Sequence, residues 1–209
     1  MVPNLYPAFE RQEVVVHSPR HVRTFADLSD TEVAATATAW AHRKQAVHDE
    51  GFAYLHALVN EGAAAGSSLP HSHSQLVWLR EEPPALTAER PGGVAELTAR
   101  DDLAVLRRDG IVAVVHAAGR LPYETLVAAA GGAFDLAAAL AVLRDLVRGL
   151  RAVEGAVPWN AWLHDGPEPH LELVPRLSVL AGVELGAGIY VSTVAPEDAA
   201  TALRTALAG

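Results

Sequence analysis

Two long helical stretches, each followed by a strand, a loop and another strand, constrain this chain more than any other feature. "SDTEVAATATAWAHRKQAVHDEG" (29–51) opens with Ser29 and Glu32 at capping-box spacing and stops at Gly51. Val33, Ala37, Trp40, Lys44 and Val47 fall on one stripe of it. "FAYLHALVN" (52–60) then reads as a buried strand, "EGAAAGSSLP" (61–70) as a loop of small residues, and "HSHSQLVWLR" (71–80) as a second strand. The order recurs. "DLAAALAVLRDLVRGLRAVEG" (135–155) is a second amphipathic helix, and "WNAWLHDGPEPHLELVPRL" (159–177) gives strand, loop and strand. Ahead of the helices, "QEVVVHSP" (12–19) is a strand closed by proline, and "GIVAVVHAAGRLPYE" (110–124) matches "EVVVHSPRHVRTFAD" (13–27) as a strand leading into a loop. Residues 81–101, with prolines and a Gly-Gly pair, read as a connecting segment. A last helix begins near "APEDAATALRTAL" (195–207), with Pro196 and two acids in its first turn. The expectation is a duplicated unit, 1–100 and 101–209, in an α+β fold: sequential strands on short loops give a mostly antiparallel sheet with packed helices.

The polar residues of the two copies differ. "HSHSQ" (71–75) in the first corresponds to "HLELVPR" (170–176) in the second. On a strand, His71, His73 and Gln75 share one face and Ser72 and Ser74 the other. The loop before them offers Asn60, Gly66, Ser67 and Ser68, which are an amide, hydroxyls and accessible backbone N–H groups with room for a phosphate. A neutral imidazole can attack phosphorus, and an amide can hold phosphate oxygens without titrating. His17, His42, His48 and His56 read as surface or hydrogen-bonded residues. "GVELGAGIY" (182–190) fits neither a dinucleotide fingerprint nor a P-loop and reads as a turn and strand next to the substrate.

Composition excludes some partners. Sixteen basic and 25 acidic residues give a formal net charge of −9, against the basic surface that nucleic-acid binding needs. No apolar run approaches the roughly 20 residues of a membrane span. "MVPNLYPAFERQ" lacks the basic start and apolar core of a signal peptide. With no cysteine, the chain has neither disulfides nor thiolate chemistry, which fits the cytoplasm.

"NEGAAAGSSLPHSHSQ" (60–75) resembles the active-site motif of galactose-1-phosphate uridylyltransferases, a branch of the histidine-triad superfamily. "VPNLYPAF" (2–9) resembles that family's nucleotide-contacting segment, "VVVHSPRH" (14–21) its next strand and loop, and "HLELVPRLSVLAGVELGAGIYVSTVAPEDAA" (170–200) its C-terminal region. The resemblance implies a histidine-triad-like fold of two degenerate repeats. It makes His73 the nucleophile on the α-phosphorus of a nucleotide sugar and Gln75 the group holding a nonbridging oxygen. Asn60, Gly66, Ser67, Ser68 and His71 would line the phosphate site, and Asn4 and Tyr6 would meet the nucleoside. The reaction implied moves a nucleoside monophosphate, UMP first, between sugar phosphates by double displacement, in a homodimer. Hydrolysis or phosphorolysis of dinucleoside polyphosphates or nucleoside phosphoramidates by the same histidine is the alternative, and a noncatalytic nucleotide-binding protein a third.

Two departures accompany the resemblance. Ser72 stands where the family commonly has proline. The chain is expected to start partway into the first repeat, without the Cys-x-x-Cys pair that binds zinc alongside the positions of His21 and His71. Glu89, His164, His170 and Glu172 resemble a second metal site. Nitrogen and carboxylate ligands there suit zinc or iron, with a hydrogen-bonded network as the other reading.

Overall fold

The computed structural model describes residues 1–209. Its strands are β1 (Val2–Pro3), β2 (Arg11–Val16), β3 (Tyr54–Glu61), β4 (His73–Leu79), β5 (Ala104–Arg108), β6 (Ile111–Val115), β7 (Thr125–Ala129), β8 (Trp159–His164) and β9 (His170–Pro175). Its helices are α1 (Asp30–Asp49), α2 (Pro84–Thr87), α3 (Gly93–Thr98), α4 (Leu136–Glu154), α5 (Gly182–Ala187) and α6 (Pro196–Ala208). All nine strands form one sheet in the order β1-β2-β4-β3-β8-β9-β7-β6-β5, and every pairing is antiparallel. The expected α+β architecture is what the chain adopts.

Alternation along the strands sorts the side chains onto two faces. Leu55, Ala57, Val59, Leu76, Trp78, Trp159, Ala161, Leu171 and Leu173 point to the helix side and join one core with Trp40 of α1 and Leu140, Leu143, Leu146 and Leu150 of α4. The capping box at Ser29 and Glu32 starts α1 as its spacing requires. On its stripe Val33, Ala37, Trp40 and Val47 are buried, while Lys44 reaches Asp165 at 2.6 Å. Helix α4 is capped by Asp135, whose carboxylate accepts the N–H groups of Ala137 and Ala138. From α4, buried Arg144 donates to Leu28 O and Asp30, and Arg148 donates to Ala26 O, so this helix grips the turn at 25–28 that leads into α1. No helix is long and apolar enough to cross a membrane.

The sequence expectation is corrected in four places. Strand β4 begins at His73, so His71 lies before the strand and outside the expected alternating row. Residues 81–101 are not featureless, because α2 and α3 form within them. Residues 182–190 hold the short helix α5 and no strand: Glu184 accepts the Ala181 N–H, and Gly188 closes the helix in the left-handed conformation. Finally, β7 and not β6 occupies the sheet position next to β9 that β2 occupies next to β4. The pairing of 110–124 with 13–27 fails because two β-rich strands follow each other there, and composition cannot say which one adjoins the motif strand.

Candidate active site

His73 and Gln75 lie on the sheet face opposite the helices, while Ser74 on the helix side accepts Trp40 Nε1–H at 2.8 Å. Leu58 stands opposite Gln75, and Asn60 opposite Asn160, so this register puts Asn60 and Asn160 on the same face as His73. A cavity of about 590 Å³ opens there, lined by Asn60, Ser67, Ser68, His71, Ser72 and His73 together with Arg23, Thr24, Glu61 and Arg151. Gly62 and Gly66, both at φ 87°, bend the loop between β3 and β4. Gly66 N–H closes a short turn onto Ala63 O at 3.0 Å, and Ser67 N–H reaches Gly62 O at 3.2 Å. This folds the serines back over the start of β4.

The orientation of His73 follows from its partner. Nδ1 lies 2.8 Å from the carbonyl oxygen of His71. A carbonyl only accepts, so Nδ1 carries the proton and Nε2 keeps the lone pair. His71 thus orients His73 through its backbone. Its own ring is turned away, with Nε2 2.8 Å from Arg20 O and Nδ1 3.1 Å from Ser72 O, and its centroid 5.7 Å from that of His21. The nitrogens that a metal shared with His21 would use face carbonyls instead.

Ser72 is fastened on three sides. Its N–H donates to Val22 O at 2.7 Å, its carbonyl accepts His17 N–H at 3.2 Å, and its hydroxyl meets His17 Nδ1 at 2.8 Å. Proline could not make the first bond. His17 is 4% exposed, with its ring edge against Phe25 at 5.2 Å. Burial, with His73 and His71 nearby, pushes its pKa down to about 3, so it stays neutral. Glu61, beside Asn60, accepts Thr24 Oγ1–H at 2.6 Å and Phe25 N–H at 2.7 Å, while burial raises its pKa.

The remaining expected residues separate into those the fold brings together and those it does not. Gln75 is on the right face but outside the cavity wall, its Oε1 taken by Gln12 Nε2. Gly66 shapes the loop from behind. Asn4 and Tyr6 do not reach the cavity: Asn4 accepts Tyr6 N–H at 3.1 Å in a local turn, and Tyr6 is 84% exposed. Sequence reasoning missed Arg23, Thr24, Glu61 and Arg151, which come from separate segments and converge only in the fold. It also missed Asn160, although the Asn in "WNAW" was visible beside that in "VNEG".

Further along the same face, Glu89, His164 and His170 place their ligand atoms within 4.8 Å of one another and could hold a metal ion. His170 donates Nδ1–H to Glu168 O at 2.8 Å, which leaves Nε2 as a ligand. Glu172 Oε2 is 3.8 Å from His164 Nε2. Burial lowers His164 to about 4, and burial together with Glu124 raises Glu172 to about 8. Imidazole and carboxyl groups of this kind suit zinc or iron, and an ion would take the place of the bonds His164 now makes, Nε2 accepting Trp162 Nε1–H at 2.6 Å and Nδ1 meeting Glu89. Arg120, paired with both Glu124 and Glu172, supplies positive charge from the side.

The sequence and the fold are both similar to those of known proteins. Residues 7–84 match the sequence family described as galactose-1-phosphate uridyl transferase, N-terminal domain. ADP-glucose phosphorylase of Arabidopsis thaliana is 24% identical over an alignment 263 positions long, covering 98% of this chain and 73% of that protein. The structure of a uridylyltransferase superposes with a TM-score of 0.90 at 22% identity, over 99% of this chain and 85% of the other. That of an Arabidopsis thaliana ADP-glucose phosphorylase with bound ADP-glucose gives 0.86 at 24% identity, over 97% and 80%. Over residues 7–84 the sequence matches the galactose-1-phosphate uridyl transferase N-terminal domain family, and over nearly its whole length the chain has the fold of the uridylyltransferase structure.

Proposed function

We propose that this protein transfers a nucleoside monophosphate from a nucleoside diphosphate sugar through a nucleotidyl-His73 intermediate. The observation that carries this reading is the His73 tautomer. The His71 carbonyl holds the Nδ1 proton, so Nε2 presents its lone pair at a cavity rimmed by Asn60, Ser67 and Ser68. Nε2 attacks the α-phosphorus, a P–N bond forms, and the bond from the α-phosphorus to the bridging oxygen breaks. The sugar 1-phosphate leaves with that oxygen and its electron pair. An acceptor oxygen then displaces His73 in the second half-reaction. Asn60 from the end of β3 and Ser67 and Ser68 from the loop bind phosphate oxygens, and Gln75, on the same face just outside the cavity wall, meets a nonbridging oxygen of a donor that extends past it.

The likeness to ADP-glucose phosphorylase favours inorganic phosphate as acceptor and an adenine donor over the UMP transfer first expected. In phosphorolysis a phosphate oxygen takes the nucleotidyl group and releases a nucleoside diphosphate. With a sugar phosphate as acceptor, the same chemistry is transfer between sugars. Glu89, His164 and His170, with Glu172, would hold zinc or iron. Such an ion would supply charge that fixes the second half's strands beside the site.

Intact-mass measurement after incubation with ADP-glucose or UDP-glucose tests the reading. Wild type is expected to gain one nucleotidyl mass, AMP in preference to UMP, while His73→Gly gains none. Released product, with phosphate or with glucose 1-phosphate added, then identifies the acceptor. A wild-type protein that takes up neither nucleotide overturns the proposal.

A further inference from the structure

Behind the two phosphate-holding amides stand two more amides, and each of these is pinned by a group that can only donate. Asn160 Oδ1 accepts from Arg176 Nη1 at 3.3 Å. A guanidinium has no acceptor, so the Asn160 oxygen must face Arg176 and its NH₂ must face the other way. That NH₂ donates to Ala65 O and to Asn60 Oδ1, both at 2.8 Å. Asn60 therefore spends its oxygen on Asn160 and turns its NH₂ toward the loop at Gly66 and the cavity. The second chain of bonds has the same logic. Ala8 N–H donates to Gln12 Oε1 at 3.0 Å, so Gln12 points its NH₂ at Gln75 Oε1, which leaves the Gln75 NH₂ free.

Resting on the reading above for the identity of the ligand, we infer that Arg176 with Asn160 are positioning groups that set which end of Asn60 meets the phosphates in the cavity, and that the Ala8 N–H with Gln12 sets which end Gln75 offers on the same face just outside it. An amide offers a donor and an acceptor of nearly equal size, and its rotation by half a turn costs little when nothing chooses between them. Facing an anion, only the donor end is useful, since the other end puts oxygen against oxygen. Asn160 does not line the cavity that Asn60 lines, and Gln12 stands behind Gln75. They act by removing the wrong orientation before the anion arrives, so no reorganisation is needed during reaction. The first relay also crosses between the copies: Arg176 and Asn160 belong to the second half and Asn60 to the first, joined by the β3–β8 pairing.

The test uses a substitution that keeps size but inverts the relay, at the cost of the bond to Ala65 O. In Asn160→Asp, a carboxylate meets Arg176 as an ion pair, and its second oxygen demands a donor from Asn60. Asn60 must then turn its NH₂ away from the cavity. Gln12→Glu does the same to Gln75. Exchange of side-chain amide protons, followed by NMR on the protein without ligand, reads orientation directly. In wild type the Asn160 NH₂ is expected to exchange slowly and the Asn60 NH₂ quickly, whereas in Asn160→Asp the Asn60 NH₂ becomes the slow one. His73 adduct formation from ADP-glucose is expected to fall about 100-fold in Asn160→Asp, the size of losing one well-placed donor, measured well below a thermal midpoint that drops because Ala65 O loses its donor. Arg176→Lys, still donor-only, retains most of the rate. A protected Asn60 NH₂ in wild type, or an Asn160→Asp protein that forms adduct at the wild-type rate, overturns the inference. If wild type forms no adduct, the functional reading fails and the exchange pattern still decides the orientation.

Discussion

His17 shows how one residue couples stability to the site. Its ring is buried against Phe25, its Nδ1 is committed to Ser72, and its Nε2 is buried without a partner. Burial holds the folded pKa near 3, against an ordinary value of about 6.5 in the unfolded chain. Because the folded value is depressed, its contribution is fully present above pH 6.5 and is lost as pH falls toward 3, where the unfolded chain binds a proton the native one refuses. Each such group steepens the loss by up to about 1.4 kcal/mol per pH unit. Denaturant melts at pH 7 and pH 5 are expected to show a marked drop for wild type and a smaller one for His17→Gln. The sequence could not reveal this, since His17 reads like any histidine at a strand end. His73 was legible because its neighbours in sequence are its neighbours in function. His71 was half legible: its role in orienting His73 lies in its carbonyl, and side-chain patterns are silent about backbone atoms.

Among the elements, both long helices and the strands that follow them were readable from caps and periodicity. Their termini are set by local chemistry, as at Ser29, Asp135 and Gly51. Strands β5 and β7 were not, because five-residue segments with only three or four apolar residues in a row carry no period that distinguishes them from the loops around them. The loop between β3 and β4 was read correctly as small and open, but the reason for its glycines needed the fold. At Gly62, φ is 87° and an added Cβ would stand 2.9 Å from Pro158 Cβ. Gly62→Ala is therefore strained twice, by backbone conformation and by contact with rigid proline, and should cost about 1–3 kcal/mol in chemical denaturation. Because the loop would shift as it relaxes, adduct formation should fall as well. Gly132→Ala, with a similar φ and nothing within 4 Å, controls for the backbone part alone.

At the scale of the molecule, apolar side chains are unevenly exposed. Val179, Val183, Leu185, Ile189, Tyr190 and Val191 crowd one segment around α5, and Leu5, Tyr6 and Phe9 another near the N-terminus. Surfaces of this kind are usually covered by a partner. If the homodimer that the resemblance implies forms through these surfaces, light scattering returns twice the chain mass, and Leu185→Glu with Ile189→Glu returns the mass of one chain. An unsubstituted protein scattering as a monomer would remove this reading. The sheet itself carries a different consequence. The two halves meet in it through one ladder, Leu58–Glu61 against Trp159–Trp162, reinforced by Arg144 and Arg148 on the helix side and by the Asn60–Asn160 bond on the other. A chain divided in the 81–101 segment would leave two pieces, each with a naked strand edge and a core missing one wall. The single ladder between β3 and β8 is therefore what makes one nine-stranded body of the chain, and neither side of it is built to stand without the other.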